Sequence, residues 1–166
     1  MATIKSVDGL LGVHDGPVLT ATLDAPGGNQ MTASMCDALT DVLQDPPSGA
    51  HVLVLQAAGH AFCLGRERTA VGAEALPAEV ARLVELNDQF TRTRLVTVAR
   101  VQGDAAGFGA GLAALADLAV AVESADVWFP EVSLGLAPTL VLAWLGQMIG
   151  RREAFWLTAT GEHDSA

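Results

Sequence analysis

The sequence predicts an α/β fold in which short strands alternate with helices and the sheet is mainly parallel. Three observations carry that expectation. Segment 51–55 (HVLVL) is a nearly continuous apolar run, the pattern of a strand buried on both faces, and 95–101 reads as another buried strand. Stretches with apolar residues at helical spacing separate such runs, so strand, helix, strand, helix and strand follow in turn. The composition is 51% hydrophobic and only 17% charged over 166 residues, which argues against disorder and allows one substantial core.

Taken in order, segments 4–7, 10–14 and 18–23 read as short strands. Asp8-Gly9 and Asp15-Gly16 part them, and such pairs supply the positive-φ positions of hairpin turns. The segment 24–30, DAPGGNQ, is a loop by composition. Thr32 is an N-cap for a helix reaching about residue 43, with Met35, Leu39, Val42 and Leu43 on one face. DPPSG ends that helix, and the apolar strand 51–55 follows. Segment 56–77 is loop-rich and holds Arg66, Glu67 and Arg68. Helical spacing returns over 78–91 through Val80, Leu83, Val84, Leu86 and Phe90. Beyond the strand 95–101 come a helix over 109–116, strands over 118–122 and 127–129, and helices over 139–149 and 153–159. Neither a repeat nor a linker divides the chain, which reads as a single domain over 1–166.

The formal net charge of −10 argues against a nucleic-acid partner, because phosphate backbones are met by basic faces. No apolar run approaches the roughly 20 residues of a membrane span, and MATIKSVDG lacks a signal-peptide core. Cys36 and Cys63 have neither CxxC nor metal spacing, so they read as free thiols in a reducing compartment, and the expected location is cytoplasmic. No metal spacing joins His14, His51 and His163.

Chemistry concentrates in 101–138, VQGDAAGFGAGLAALADLAVAVESADVWFPEVSLGLAP. Gly103, Gly107, Gly109 and Gly111 recur too closely for an ordinary packed element, since glycine weakens helix and strand. Such a cluster suits a close backbone approach, with N–H groups aimed at a negative oxygen. Glu131 is the obvious acid or base to stand opposite, although a carboxylate capping a turn is the structural alternative.

Two segments together resemble the crotonase (enoyl-CoA hydratase/isomerase) superfamily. HAFCLGRE (60–67) is similar to that family's AFxAGxD loop. Within 101–138, Gly103, Ala105, Gly107, Gly109, Leu112, Ala113, Asp117, Pro130, Glu131, Leu134, Gly135 and Pro138 stand in the order and spacing of the family's glycine-helix and PE segments. LDAPGGNQMT and LGQMIGRREAFWLTATGEHDSA agree more loosely with two further family segments. The resemblance implies a crotonase-like (ClpP/crotonase) superhelix of ββα units and enolate chemistry on acyl-CoA thioesters. Coenzyme A would enter as part of the substrate, with no separate cofactor and no metal. It also implies C-terminal helices that build a homotrimer or a dimer of trimers, and this chain reads as stopping before them.

Carried over position by position, the oxyanion donors are the N–H groups of Leu64 and Phe108, and the proton-transfer group is Glu131. Contacts to the acyl-CoA fall on Ala25, Asn29, Ala61, Cys63, Gly65, Arg66, Glu67, Gly107, Gly111, Pro130 and Leu136. The chain departs from the family at three points. Gly111 stands where hydratases carry their first glutamate, Phe108 replaces a usual glycine, and Gly28 precedes Asn29 where a basic residue is usual. With one carboxylate left, the expected reaction is isomerase-type proton transfer. The alternatives are hydration, with Asp104 holding the water, a decarboxylation or C–C cleavage of the same family, or a non-catalytic acyl-CoA-binding or oligomer subunit. Arg66 and Arg68 are expected to meet CoA phosphates or a substrate carboxylate, or else to pair with Glu67 or Glu74. Cys63 would be a nucleophile only with a lowered pKa.

Overall fold

The computed structural model describes residues 6–68 and 76–165. The chain coils so that each turn lays one strand in each of two sheets. The larger sheet runs β1 (Leu10–Asp15), β2 (Val18–Leu23), β3 (Val52–Ala57), β5 (Val96–Val101) and β7 (Leu118–Ala121). Only β1 is antiparallel to its neighbour; β2, β3, β5 and β7 pair in parallel. The smaller sheet runs β4 (Ala61–Cys63), β6 (Asp104–Ala106), β8 (Asp126–Trp128) and β9 (Asp164–Ser165), with only β9 antiparallel. Strand pairs β3–β4, β5–β6 and β7–β8 therefore form successive turns of a superhelix, which is the ββα arrangement the resemblance implies.

Helices close the turns. The one-turn α1 (Pro26–Asn29) contains Gly27 and Gly28 at φ of 74° and 87°, so the proposed loop 24–30 is a tight left-handed turn. Thr32 caps α2 (Ala33–Gln44), its Oγ1 accepting the Met35 N–H at 3.2 Å. The third helix, α3 (Leu76–Arg92), packs on α2, and α4 (Phe108–Leu115) follows the glycine cluster. After Glu131 come a 3-10 turn (Val132–Leu134), α5 (Thr139–Leu142), α6 (Leu145–Met148) and α7 (Arg151–Thr160).

Four expectations need correction. The helix over 139–149 is two short helices, because Trp144 leaves helical geometry at φ −137°, ψ −22°. The loop-rich 56–77 contains β4, and the glycine cluster contains β6; three-residue strands carry too little periodicity to be seen. Strands β3 and β5 are buried on one face only. Leu53, Leu55, Ala99 and Val101 enter a core shared with Met35, Leu39, Leu86 and Phe90, whereas Val52 and Val54 are half-buried and Val96 is exposed. The helices contribute to that one core, so the second face of the sheet lacks a matching layer. Of the strand expected over 4–7, residues 4 and 5 lie outside the described residues, and Val7 makes a single antiparallel bridge to Leu10.

The glycines set the pitch of the coil. A Cβ on Gly103 would stand 2.8 Å from the carbonyl carbon of His60 and nearer still to its oxygen. A Cβ on Gly109 would stand 2.7 Å from both the carbonyl carbon and the Cβ of Cys63. One turn thus lies directly on the backbone of the next, and hydrogen alone fits between them.

Candidate active site

This contact places the start of α4 against the segment 63–65. Phe108 is the first residue of α4, where an N–H has no acceptor inside its own helix, and the helix N-terminus adds partial positive charge. Gly107, which precedes it, has φ 52°, ψ −117°, and its own N–H is spent on the Trp128 carbonyl at 2.9 Å. Leu64 and Phe108 line one cavity of about 380 Å³ together with Gly65, Arg66, Gly107, Pro130 and Glu131. A second cavity of about 520 Å³ shares Arg66, Arg68, Phe108 and Glu131 with the first and adds an apolar wall from Leu136 to Val141.

Leu64 corrects the expectation of two free donors. Its N–H donates to the carbonyl of Gly28 at 2.8 Å, so of the two only the Phe108 N–H has no protein acceptor among the described residues. The left-handed turn at Gly27-Gly28 aims that carbonyl, and the fit is close, since a Cβ on Gly28 would lie 2.8 Å from Leu64 Cγ. An oxyanion seated between the two donors must exchange with this carbonyl.

Glu131 is in αR geometry (φ −54°, ψ −41°) at the entry to the 3-10 turn, yet its side chain caps nothing. Its Oε2 is buried with no hydrogen-bond partner among the described residues, and its Oε1 lies 3.1 Å from where a Gly107 Cβ would be. A turn-capping role is thereby excluded. Gly111 is buried, and a Cβ there would meet Val141 Cγ2 at 3.2 Å and Trp144 Cζ2 at 3.5 Å. A side chain at 111 would therefore start out against Val141 and Trp144.

Several candidate contacts serve the scaffold. Asn29 is a clamp: its Oδ1 accepts the Ala25 N–H, and its Nδ2 donates to the carbonyls of Ala58 and Ala61, each at 2.8 Å. Asn29, Ala25 and Ala61 therefore lie outside both cavities. Cys63 is buried, its thiol donates to the Gly65 carbonyl at 3.2 Å, and burial pushes its pKa up to about 11, which excludes a nucleophilic thiolate. Glu67 is exposed and lines an adjoining cavity with Arg66 and Glu79 but neither of the two above, and its N–H is bonded to the Met31 carbonyl. Asp104 Oδ1 accepts the Asp126 N–H at 3.1 Å, which ties β6 to β8, and Asp104 lines neither cavity. Asp117 accepts from both the N–H and Oγ1 of Thr97, a structural tie between β5 and β7.

The structure adds residues that sequence reasoning missed. Glu79 and Val80 of α3 and Leu140 and Val141 of α5 line the larger cavity. Glu79 forms an ion pair with Arg66, so Arg66 faces a partner the sequence did not suggest. Helical periodicity assigned Val80 and Leu83 to the core, and nothing in the spacing showed that α3 borders a cavity. Glu74 lies outside the described residues.

Residues 14–166 match the enoyl-CoA hydratase/isomerase family. This chain belongs to that family. A Thermus thermophilus protein named as a provisional enoyl-CoA hydratase is 34% identical over 142 residues, 82% of this chain and 55% of the relative. The enoyl-CoA hydratase of Mycobacterium smegmatis superposes with a TM-score of 0.88 at 30% identity, covering 96% of this chain and 65% of that one. A Shewanella pealeana enoyl-CoA hydratase gives 0.90 at 26% identity, covering 98% and 65%. The crotonase fold is thus shared throughout. The chain spans 55% and 57% of the lengths of two curated relatives, one from Thermus thermophilus and one from Rhodobacter capsulatus. Among the described residues of this crotonase-family chain, no helix is long and apolar enough to cross a membrane, and no His/Cys/Asp/Glu cluster could hold a metal.

Proposed function

We propose that this chain binds an acyl-CoA thioester and moves a proton between two of its carbons, with Glu131 as the single acid–base group. The observation that carries the reading is the pairing of Glu131 with Gly111. Among the described residues one Glu131 oxygen is buried and unpartnered in the cavity that Phe108 also lines, while position 111, bordered by Val141 and Trp144, carries no acid. The Glu131 carboxylate removes a proton from the carbon next to the thioester carbonyl, and the electron pair passes to the thioester oxygen. The Phe108 N–H, and the Leu64 N–H once it leaves Gly28, stabilise that enolate. The pair then returns through the conjugated system, and the far alkene carbon takes the same proton from Glu131. No atom is gained or lost.

The comparison relatives carry hydratase names, which favours hydration as the second reading. Hydration needs a water held opposite Glu131, and Asp104 lines neither of the cavities that Glu131 faces. A panel of enoyl-CoA esters read by mass spectrometry and chromatography separates the two, since hydration adds one water and isomerisation shifts only retention. Glu131→Gln should lower turnover by about 10²–10⁴-fold while ester binding persists. Unchanged turnover would remove Glu131 from the mechanism, and binding without turnover in the parent chain would leave an acyl-CoA-binding subunit.

Self-association, as a trimer or a dimer of trimers, belongs to the same reading. Leu118, Val120 and Val122 at the sheet edge and Phe155 and Trp156 on α7 are exposed, and association would cover such apolar surface. Light scattering that found only monomer at assay concentration would remove this part.

A further inference from the structure

Arg66 and Arg68 face the same two cavities that Glu131 faces. The chain has nine Lys and Arg residues against nineteen Asp and Glu, and two of those nine cations line the larger cavity beside its two carboxylates, Glu79 and Glu131. Arg66 is held by its ion pair with Glu79. Burial, and next the neighbouring Arg68 charge, lower its affinity for a proton, which places the two guanidiniums within electrostatic reach of each other. Arg68 has no carboxylate partner among the described residues. It stands, with Glu131, over a cavity whose other wall, Leu136 to Val141, is almost entirely apolar.

Resting on the acyl-CoA reading above, we propose that Arg68, steadied beside the Arg66–Glu79 pair, selects acyl groups that carry a second carboxylate. Two anions on an acyl-CoA could meet an arginine: a carboxylate on the acyl group and the phosphates of the nucleotide. The phosphates stand the whole length of the pantetheine arm away from the thioester carbonyl. Arg68 lines the cavity that holds Leu64, Phe108 and Glu131, so the anion it reaches lies a few bonds from the reacting carbon. A guanidinium suits this task because its planar donors match a carboxylate two-to-two. The Arg68 charge also offsets the repulsion that an ionised Glu131 would exert on a dicarboxylic acyl chain.

Calorimetric titration of the full chain and of Arg68→Ala with glutaryl-CoA, butyryl-CoA and free coenzyme A tests the proposal. Because Arg68 is exposed, the variant should fold, and circular dichroism of each preparation checks this, with Arg68→Gln as a second variant. The parent is expected to prefer glutaryl-CoA to butyryl-CoA, and the variants should reduce that ratio about tenfold, the scale of one charge-assisted hydrogen bond. An unchanged ratio overturns the proposal. So does an equal loss for all three compounds, which would assign Arg68 to the nucleotide phosphates. A parent that binds none of the three overturns the acyl-CoA reading itself, a result distinct from binding without preference.

Discussion

Replacing Gly109 with alanine tests whether the contact between successive turns of the coil builds the site. The added Cβ would stand 2.7 Å from the Cys63 carbonyl carbon and from Cys63 Cβ. Ordinary contact begins at 3.4 Å, so α4 and the segment after β4 must separate by about 0.7 Å or more. Both sides are backbone or buried side chain, and neither can swing aside. Overpacking of this kind costs about 3 kcal/mol, the upper end of its usual range. Alanine recovers about 1 kcal/mol of helix propensity, leaving a net loss of about 2 kcal/mol. For a chain of this length that lowers the melting temperature by roughly 4–8 °C. Gly146→Ala is the control: a Cβ there meets nothing closer than 3.7 Å, and the helix should be unharmed. Thermal melts by circular dichroism read both. Separation of the two donor loops should also cut turnover by about 10²-fold, because a displacement near 1 Å is felt at that scale. A Gly109→Ala protein that melts with the parent and turns over normally would refute the reasoning.

Two further substitutions follow from the scaffold. Asn29→Ala removes the side-chain partner of the Ala25 N–H and the Ala58 carbonyl and leaves the Ala61 carbonyl to Gln102 Nε2 alone, which should cost about 3 kcal/mol and lower the melting temperature by roughly 6–12 °C; an unchanged melt would show that the clamp is dispensable. Burial raises the thiols of Cys36 and Cys63 from 9.0 to about 12 and about 11. Since the folded values are the higher ones, this contribution to stability is whole below pH 9 and declines as pH rises through about 11–12. Urea midpoints measured across that range should fall for the parent, and the Cys36→Ala/Cys63→Ala protein should show a flatter decline; equal slopes would count against it.

The site was legible in the sequence where chemistry depends on spacing along the chain. Gly107, Phe108 and Glu131 could be assigned because one continuous segment carries them, and Thr32 could be placed as a cap because capping is local. Leu64 was placed, but its hydrogen bond to Gly28 was not, since that bond joins residues 36 apart. Arg66 appeared as a loop charge because its partner, Glu79, belongs to a helix whose periodicity reports only that one face is apolar. Asn29 looked like a substrate contact because a short motif conveys that a residue type recurs, without showing whether its amide faces a ligand or the backbone.

By itself the sequence determined the parallel α/β class, the glycine-rich segment and the places of Gly111 and Glu131 along it. Those properties follow from short-range sterics, from periodicity and from residue identity. Only the tertiary structure decided that Gly103 and Gly109 are spacers between turns, and that Val141 and Trp144 occupy the space beside Gly111. It also decided that the Leu64 N–H is bonded to the Gly28 carbonyl. Each of these is a contact between segments distant in the chain, and packing at atomic distances is set by the coil as a whole.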